Sequence, residues 1–291
     1  MERRDFVKIS LKVVIGLIAG GILLSACNQG DKTLFSSWGY AYVTNGNSNT
    51  LSVIDCKYNK VVNTVTVGTM PYGVSVNIGT NRIYVANNGI NAVSVIDGHT
   101  NSVISIVNVG ISPIGISVNP ITNRVYVVNG GDNTVSVIDG YTNSVISTVN
   151  VGLTPYGISV NPNTNRIFVV NQVNNTVSVI DGYTNSVIST VNVGLVPIGI
   201  SVNPNTNRIY VTNLSDSTVS VIDGYTNSVI RIVNVGLSPI GISVNPITNS
   251  IYVANQTDNT VSVIDGYTNS VISTVNVGLA PNEIAIHPDM G

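Results

Sequence analysis

Asp55, Asp97, Asp139, Asp181, Asp223 and Asp265 stand 42 residues apart, with no insertion or deletion between the first and the last. The stretch NTVSVIDGYTNSVISTVNVG at 133–152 returns letter for letter at 175–194 and 259–278, and with small changes at 217–236. A period of this length marks a solenoid, a propeller or an array. Register kept through most of a 291-residue chain favours one large domain over two ordinary ones.

Each unit carries four apolar runs divided by turn signals. In the third unit they are Gly115–Asn119, Arg124–Asn129, Thr134–Asp139 and Ser144–Val151. Every connection holds Gly, Asn, Asp or Pro, residues that accept positive φ, pre-set φ or bond their own backbone. Such short links force neighbouring strands to run antiparallel, so each unit is a four-stranded meander. No stretch keeps a helical period. Val, Ile, Ser, Thr, Asn and Gly dominate while 9% of residues are charged, which suits pleated surfaces.

These strands are apolar on both faces, so a lone sheet would be insoluble and each must be sheltered by others. Radial stacking into a propeller does this and leaves only short edges, whereas a linear solenoid needs caps at both ends. The Tyr-Val-x-Asn strand occurs six times, at Tyr42, Tyr84, Tyr126, Phe168, Tyr210 and Tyr252. The Pro-x-Gly strand begins at Pro71, Pro113, Pro155, Pro197 and Pro239, with a degenerate sixth copy at Pro281. The expectation is an all-β, six-bladed β-propeller of four-stranded antiparallel blades. Its last strand, Glu283–His287, is expected to pair beside Tyr40–Asn45, closing the ring and removing two open edges.

Residues 1–27 read as an export signal, 28–37 as a polar tether, and 38–291 as the propeller. The signal has a basic start, an apolar run at Val13–Leu24 too short for an ordinary membrane span, and small residues before Cys27. Arg3-Arg4-Asp5-Phe6-Val7-Lys8 resembles a twin-arginine export motif, and Leu24-Ser25-Ala26-Cys27 resembles a lipobox, which implies lipid attachment at Cys27. The alternative is an uncleaved anchor with Cys27 a small apolar residue. Both place the rest of the chain outside the cytoplasm, held at a membrane. With Cys27 lipidated, Cys56 stands alone in a turn position held elsewhere by Gly98, Gly140, Gly182, Gly224 and Gly266. Trp38 is expected to pack under the closing strand.

Tyr42-Val43-Thr44-Asn45, followed by Ser52-Val53-Ile54-Asp55, Val67-Gly68 and Pro71-Tyr72-Gly73, resembles the YVTN-repeat β-propellers, an extracytoplasmic and surface-layer-associated family. The resemblance covers about residues 40–290. It implies that the Pro-x-Gly strand lines the central channel, and it implies binding or scaffolding without a shared catalytic motif. Family members often have seven blades, so a count of six is a departure.

Residues common to all units are presumed structural, so function should break the repeat. The six aspartates end strands before turns and read as turn caps. Arg82, Arg124, Arg166 and Arg208 lie at the same end and read as surface ion-pair partners or an anion site. His99 and His287 are far apart and lack cysteine partners for a zinc cage. Asp132, Asp216 and Asp258 share one place in the variable loops. They are either solvated loop acids or weak candidates for Ca²⁺, which wants about six to eight oxygens.

Tyr72, Ile114, Tyr156, Ile198, Ile240 and Asn282 sit at the entry of the inner strand, either packing between blades or ringing the channel mouth. Glu283 replaces a repeated glycine there. The expected ligand-binding residues are Glu283, Asn282, Tyr72 and Tyr156, with no catalytic set and no cofactor implied.

Loss of residues 1–27 removes Arg3, Arg4, Lys8 and Lys12 with Glu2 and Asp5, leaving 8 basic and 12 acidic residues. That balance, with no basic cluster, argues against nucleic acid as partner. The functional expectation is a membrane-anchored extracytoplasmic binding or scaffold propeller for an unidentified protein, peptide or glycan. Alternatives are a self-associating surface-layer component, or a metal-assisted lactonase or hydrolase argued from fold analogy alone.

Overall fold

A computed structural model of the chain describes residues 24–25 and 39–286. Residues 1–23, the tether, Cys27, Trp38 and His287 lie outside the described residues, and so do the expectations resting on them. Among the described residues no helix is long and apolar enough to cross a membrane.

The described chain forms six four-stranded antiparallel sheets. Blade 1 holds β1 (Leu24–Ser25), β2 (Tyr40–Asn45), β3 (Thr50–Asp55) and β4 (Lys60–Thr66). Blade 2 holds β5 (Pro71–Asn77), β6 (Arg82–Asn87), β7 (Ala92–Asp97) and β8 (Ser102–Asn108). Blade 3 holds β9 (Pro113–Asn119), β10 (Arg124–Asn129), β11 (Thr134–Asp139) and β12 (Ser144–Asn150). Blade 4 holds β13 (Pro155–Asn161), β14 (Arg166–Asn171), β15 (Thr176–Asp181) and β16 (Ser186–Asn192). Blade 5 holds β17 (Pro197–Asn203), β18 (Arg208–Asn213), β19 (Thr218–Asp223) and β20 (Ser228–Asn234). Blade 6 holds β21 (Pro239–Asn245), β22 (Ser250–Asn255), β23 (Thr260–Asp265) and β24 (Ser270–Asn276).

Alternation decides which blade each side chain meets. On blade 3, Tyr126, Val135, Val137 and Val149 turn to one side and pack on Val160, Ile167, Val169 and Ile180 of blade 4. The same interface recurs between each consecutive pair from blade 1 to blade 6, giving five apolar cores. Buried asparagines staple neighbouring blades. Asn77 donates to Asn123 (2.6 Å), Asn119 to Asn165 (2.8 Å), Asn161 to Asn207 (2.7 Å) and Asn203 to Asn249 (2.7 Å). Within blades 3 to 6 the Asn ending the second strand donates to a Thr and a Ser of the third, as Asn129 does to Thr134 (3.0 Å) and Ser136 (2.9 Å).

Inner strands run so close that the repeated glycine has no room for a side chain. A Cβ on Gly115 would lie 2.5 Å from the Tyr156 carbonyl oxygen of the next inner strand. The tail continues this packing, since a Cβ on Gly241 would lie 2.5 Å from the Asn282 carbonyl oxygen, and Ile286 N–H donates to Ser243 Oγ (3.3 Å).

The seam between blades 6 and 1 differs from the other five interfaces. Val275 is 48% exposed, whereas its counterparts Val149, Val191 and Val233 are 5% exposed. No ladder between Glu283–His287 and Tyr40–Asn45 occurs among the described residues. That edge of β2 is paired instead with Leu24–Ser25, where Ser25 faces Tyr42 just as Ser75 faces Tyr84 in blade 2. The four asparagine staples do not extend to this seam: Gly39 stands where an asparagine would receive Asn245. Cys56 is disulfide-bonded, whereas the expectation that it stands alone applies to a chain with lipid on Cys27. The one other cysteine of the chain is Cys27.

Candidate functional site

Tyr72 and Tyr156 open β5 and β13, two blades apart, directly after the connection that crosses from outer to inner strand. Their side chains meet. The rings lie edge to face, with centroids 6.2 Å apart and planes at 87°, and the two hydroxyls share a hydrogen bond. Ile114 of the intervening blade lies with them beside a cavity of about 180 Å³. Asn47 and Asn88 from the variable loops, and Met70, complete its wall. Two of the expected binding residues are thus brought together at the loop-bearing mouth.

Glu283 occupies the inner-strand place that glycine holds in the five preceding copies, and a side chain there prevents the close approach made at Gly115. It is accessible to water, yet enough protein surrounds the carboxyl that desolvation pushes it up to about 7. Its charge reaches Tyr156, whose phenol is raised by burial first, then by Tyr72, then by Glu283. Asn282 is half-buried, and its carbonyl packs against Gly241. Sequence reasoning missed Met70, Asn47 and Asn88. Met70 carried one signal, being the largest residue in a position held elsewhere by Ser112, Thr154, Val196, Ser238 and Ala280.

The three loop aspartates are not brought together. Asp132 accepts from Ile111 N–H (2.6 Å), Asp216 from Leu195 N–H (2.7 Å) and Asp258 from Leu237 N–H (2.7 Å), each bracing the connection that enters its own blade. The repeating aspartates cap turns. Asp97 accepts from His99 N–H (2.9 Å) and Thr100 N–H (3.1 Å), and these bonds hold its carboxyl below the ordinary range. Arg82 pairs with Asp97 at 2.6 Å, and Arg166 and Arg208 pair likewise with Asp181 and Asp223. Arg124 turns instead toward the Gly182 carbonyl (3.4 Å) and Asn185 (3.5 Å). A larger hollow of about 500 Å³ lies where blade 5 passes into blade 6, lined by Asn234, Val235 and Gly236 with Asp258, Thr260 and Ser262.

Comparison with known proteins agrees with the architecture. The family model described as YNCE-like beta-propeller matches residues 201–291. A solved structure titled Kuenenia stuttgartiensis Hydrazine Synthase superposes with a TM-score of 0.76 at 16% identity, covering 97% of this chain and 94% of that one. Identity at this level carries the fold alone. No curated protein matched the chain. Six four-stranded sheets in radial sequence, with a propeller family matched over the last third, make this chain a β-propeller.

Proposed function

We propose that the protein is an extracytoplasmic binding propeller of the YVTN-repeat kind, held at a membrane, with its ligand site at the channel mouth around Tyr72, Tyr156 and Glu283. The observation that carries this reading is the Tyr72–Tyr156 contact. It joins blades that share no core, and no other pair of units makes it among the described residues. Residues that break a repeat and converge on a cavity serve something other than the repeat's own stability. Anchoring rests on the sequence alone, through the basic start, the apolar run and the lipobox-like Leu24–Cys27.

Lipid on Cys27 and a Cys27–Cys56 bridge exclude each other, because one sulfur cannot hold both bonds. Intact-mass measurement of protein extracted from host membranes is expected to show a diacylglyceryl-modified Cys27 and loss of everything before it. Full-length mass with an intact bridge would sink lipid attachment at Cys27 and leave the uncleaved anchor. For the site, Tyr72→Ala/Tyr156→Ala is expected to abolish the ligand-induced rise in melting temperature found by screening the full chain, since a partner binding only the native state stabilises it. An undiminished rise would place the site elsewhere.

A further inference from the structure

We propose that the protein docks on the lipid surface by the end of the propeller that carries the Gly-Tyr-Thr-Asn turns, which points the channel mouth away from the membrane. This rests on the membrane-held reading above and adds the surface that meets the bilayer.

Strand register gathers two sets of turns at that end. In blade 3, Arg124 pairs with both Asp139 and Asn119, and Asp139 also pairs with Ser144, so turns 120–123 and 140–143 leave the sheet together. The buried asparagine staples join these ends of blades 2 to 6 into one face. One exposed ring projects from each blade: Tyr58, His99, Tyr141, Tyr183, Tyr225 and Tyr267. Tyr141, Tyr183, Tyr225 and Tyr267 are 75–77% exposed, so packing inside the fold does not account for them. Ile78, Ile121 and Ile247 stand exposed on the adjoining turns. Tyrosine, apolar in its body and wet at its tip, favours the boundary between lipid and water. Rings spread one to a blade around a rim suit a flat fluid surface, which meets all of them at once.

The mouth end exposes aliphatic side chains as well, among them Leu153, Leu195 and Leu237, so charge decides between the two ends. The turn end carries the six repeating aspartates, balanced by Lys57, Lys60, Arg82, Arg124, Arg166 and Arg208. The mouth end carries Asp132, Asp216, Asp258 and Glu283 with no lysine or arginine among the described residues. A bilayer bearing anionic lipid repels the acidic end and accepts the balanced one. Lys57 adds to the fit, since its ammonium lies 5.1 Å from the centre of the Tyr58 ring and can reach headgroup phosphate while the ring stays at the apolar boundary.

The N-terminal attachment enters at the same end. Gly39 leads into Tyr40, which pairs with Asp55, and β1 runs toward that end because Leu24 pairs with Val43 and Ser25 with Tyr42. Residues 28–38 span about 40 Å at full stretch. Docking by the turn end leaves this tether slack, whereas docking by the mouth would draw it along the height of a blade.

The test couples the full-length Cys56→Gly protein through Cys27 to maleimide-bearing phosphatidylethanolamine in vesicles of phosphatidylcholine and phosphatidylglycerol. The tether is then supplied whether or not the cell attaches lipid there. The same protein, blocked with N-ethylmaleimide and free of lipid, is the reference. Acetylation of Tyr141, Tyr183, Tyr225 and Tyr267 by N-acetylimidazole, mapped by mass, is expected to slow about tenfold on the vesicles, because the tethered face meets lipid at high effective concentration. Carbodiimide labelling of Asp132, Asp216 and Asp258 should proceed as in solution. Replacing those four tyrosines with serine, at exposed turn positions that leave the cores intact, should open Tyr58 on the vesicles to its solution rate. Equal acetylation on vesicles and in solution overturns the docking and leaves the anchor to be judged by the mass of protein extracted from host membranes. Tyrosine protection that grows with protein concentration in the lipid-free reference overturns it in favour of a second copy. Protection of the three aspartates in place of the tyrosines overturns it by laying the mouth on the membrane.

Discussion

Asparagine does the work at turns that glycine was expected to share. Among the described residues 16 of the non-glycine positions at positive φ are asparagines, and no glycine there adopts that region. Asparagine tolerates the left-handed region because its amide can bond the local backbone. The glycines answer a different demand, for space. A Cβ on Gly140 would lie 2.5 Å from Asn123 Oδ1, and Gly98, Gly182, Gly224 and Gly266 face asparagines in the same way. Cys56 escapes that clash because Gly39 takes the asparagine's place. Seven positions depart from asparagine, and at two of them, Thr154 and Val196, both at φ 51°, a β-branched side chain crowds its own backbone. Val196→Asn is therefore expected to stabilise the protein by about 1 kcal/mol, read from the midpoint of urea unfolding. An unchanged or lower midpoint would show that the valine side chain contributes packing that outweighs the strain.

At the scale of strands, much was legible from sequence. The second and third strands of the third unit, Arg124–Asn129 and Thr134–Asp139, fall where their apolar runs and turn residues placed them, because alternation and turn chemistry are local. The first strand begins at Pro113, two residues before the apolar run, because Pro113 pairs with Asn129 across a bulge. Bulges and cross-blade contacts depend on neighbours far along the chain, so composition did not reveal them. The same holds for the site. Tyr72, Tyr156 and Glu283 were visible as breaks in the repeat, whereas Asn47 and Asn88 look like any loop asparagine until the fold brings them to the cavity. Interface burial makes its own prediction. Val233→Ala should cost about 2 kcal/mol, since it removes a buried side chain between blades 5 and 6, and Val275→Ala far less. Equal losses in thermal unfolding would mean that blade 6 is covered in solution.

At the scale of the molecule, two sets of carboxyl groups pull stability in opposite directions with pH. Glu283, raised from 4.5 to about 7, keeps a proton that the unfolded chain releases. Its contribution is full below the unfolded value and is lost as pH rises through about 7. Asp97 and Asp265 are held below their ordinary 3.8, first by N–H bonds from Thr100 and Thr268 respectively, so their contribution disappears as pH falls through that lowered range. Melting temperature should peak near about pH 4 to 5, and Glu283→Gln should remove the decline on the alkaline side. A wild-type curve rising from pH 5 to 8 would contradict this.

The seam gives the molecule two unlike ends. Blade 6 offers the tyrosine-and-valine face that blades 1 to 5 bury, and blade 1 offers the half-covered Ala41, Val43 and Ile54 that such a face receives elsewhere. Plug and socket on one body can join in a loop or in a line. Self-joining wins in dilute solution, where a tethered end outcompetes free ones through its effective concentration. Crowding many copies side by side shifts the contest toward head-to-tail threads, and a heterologous contact that does not close grows without limit.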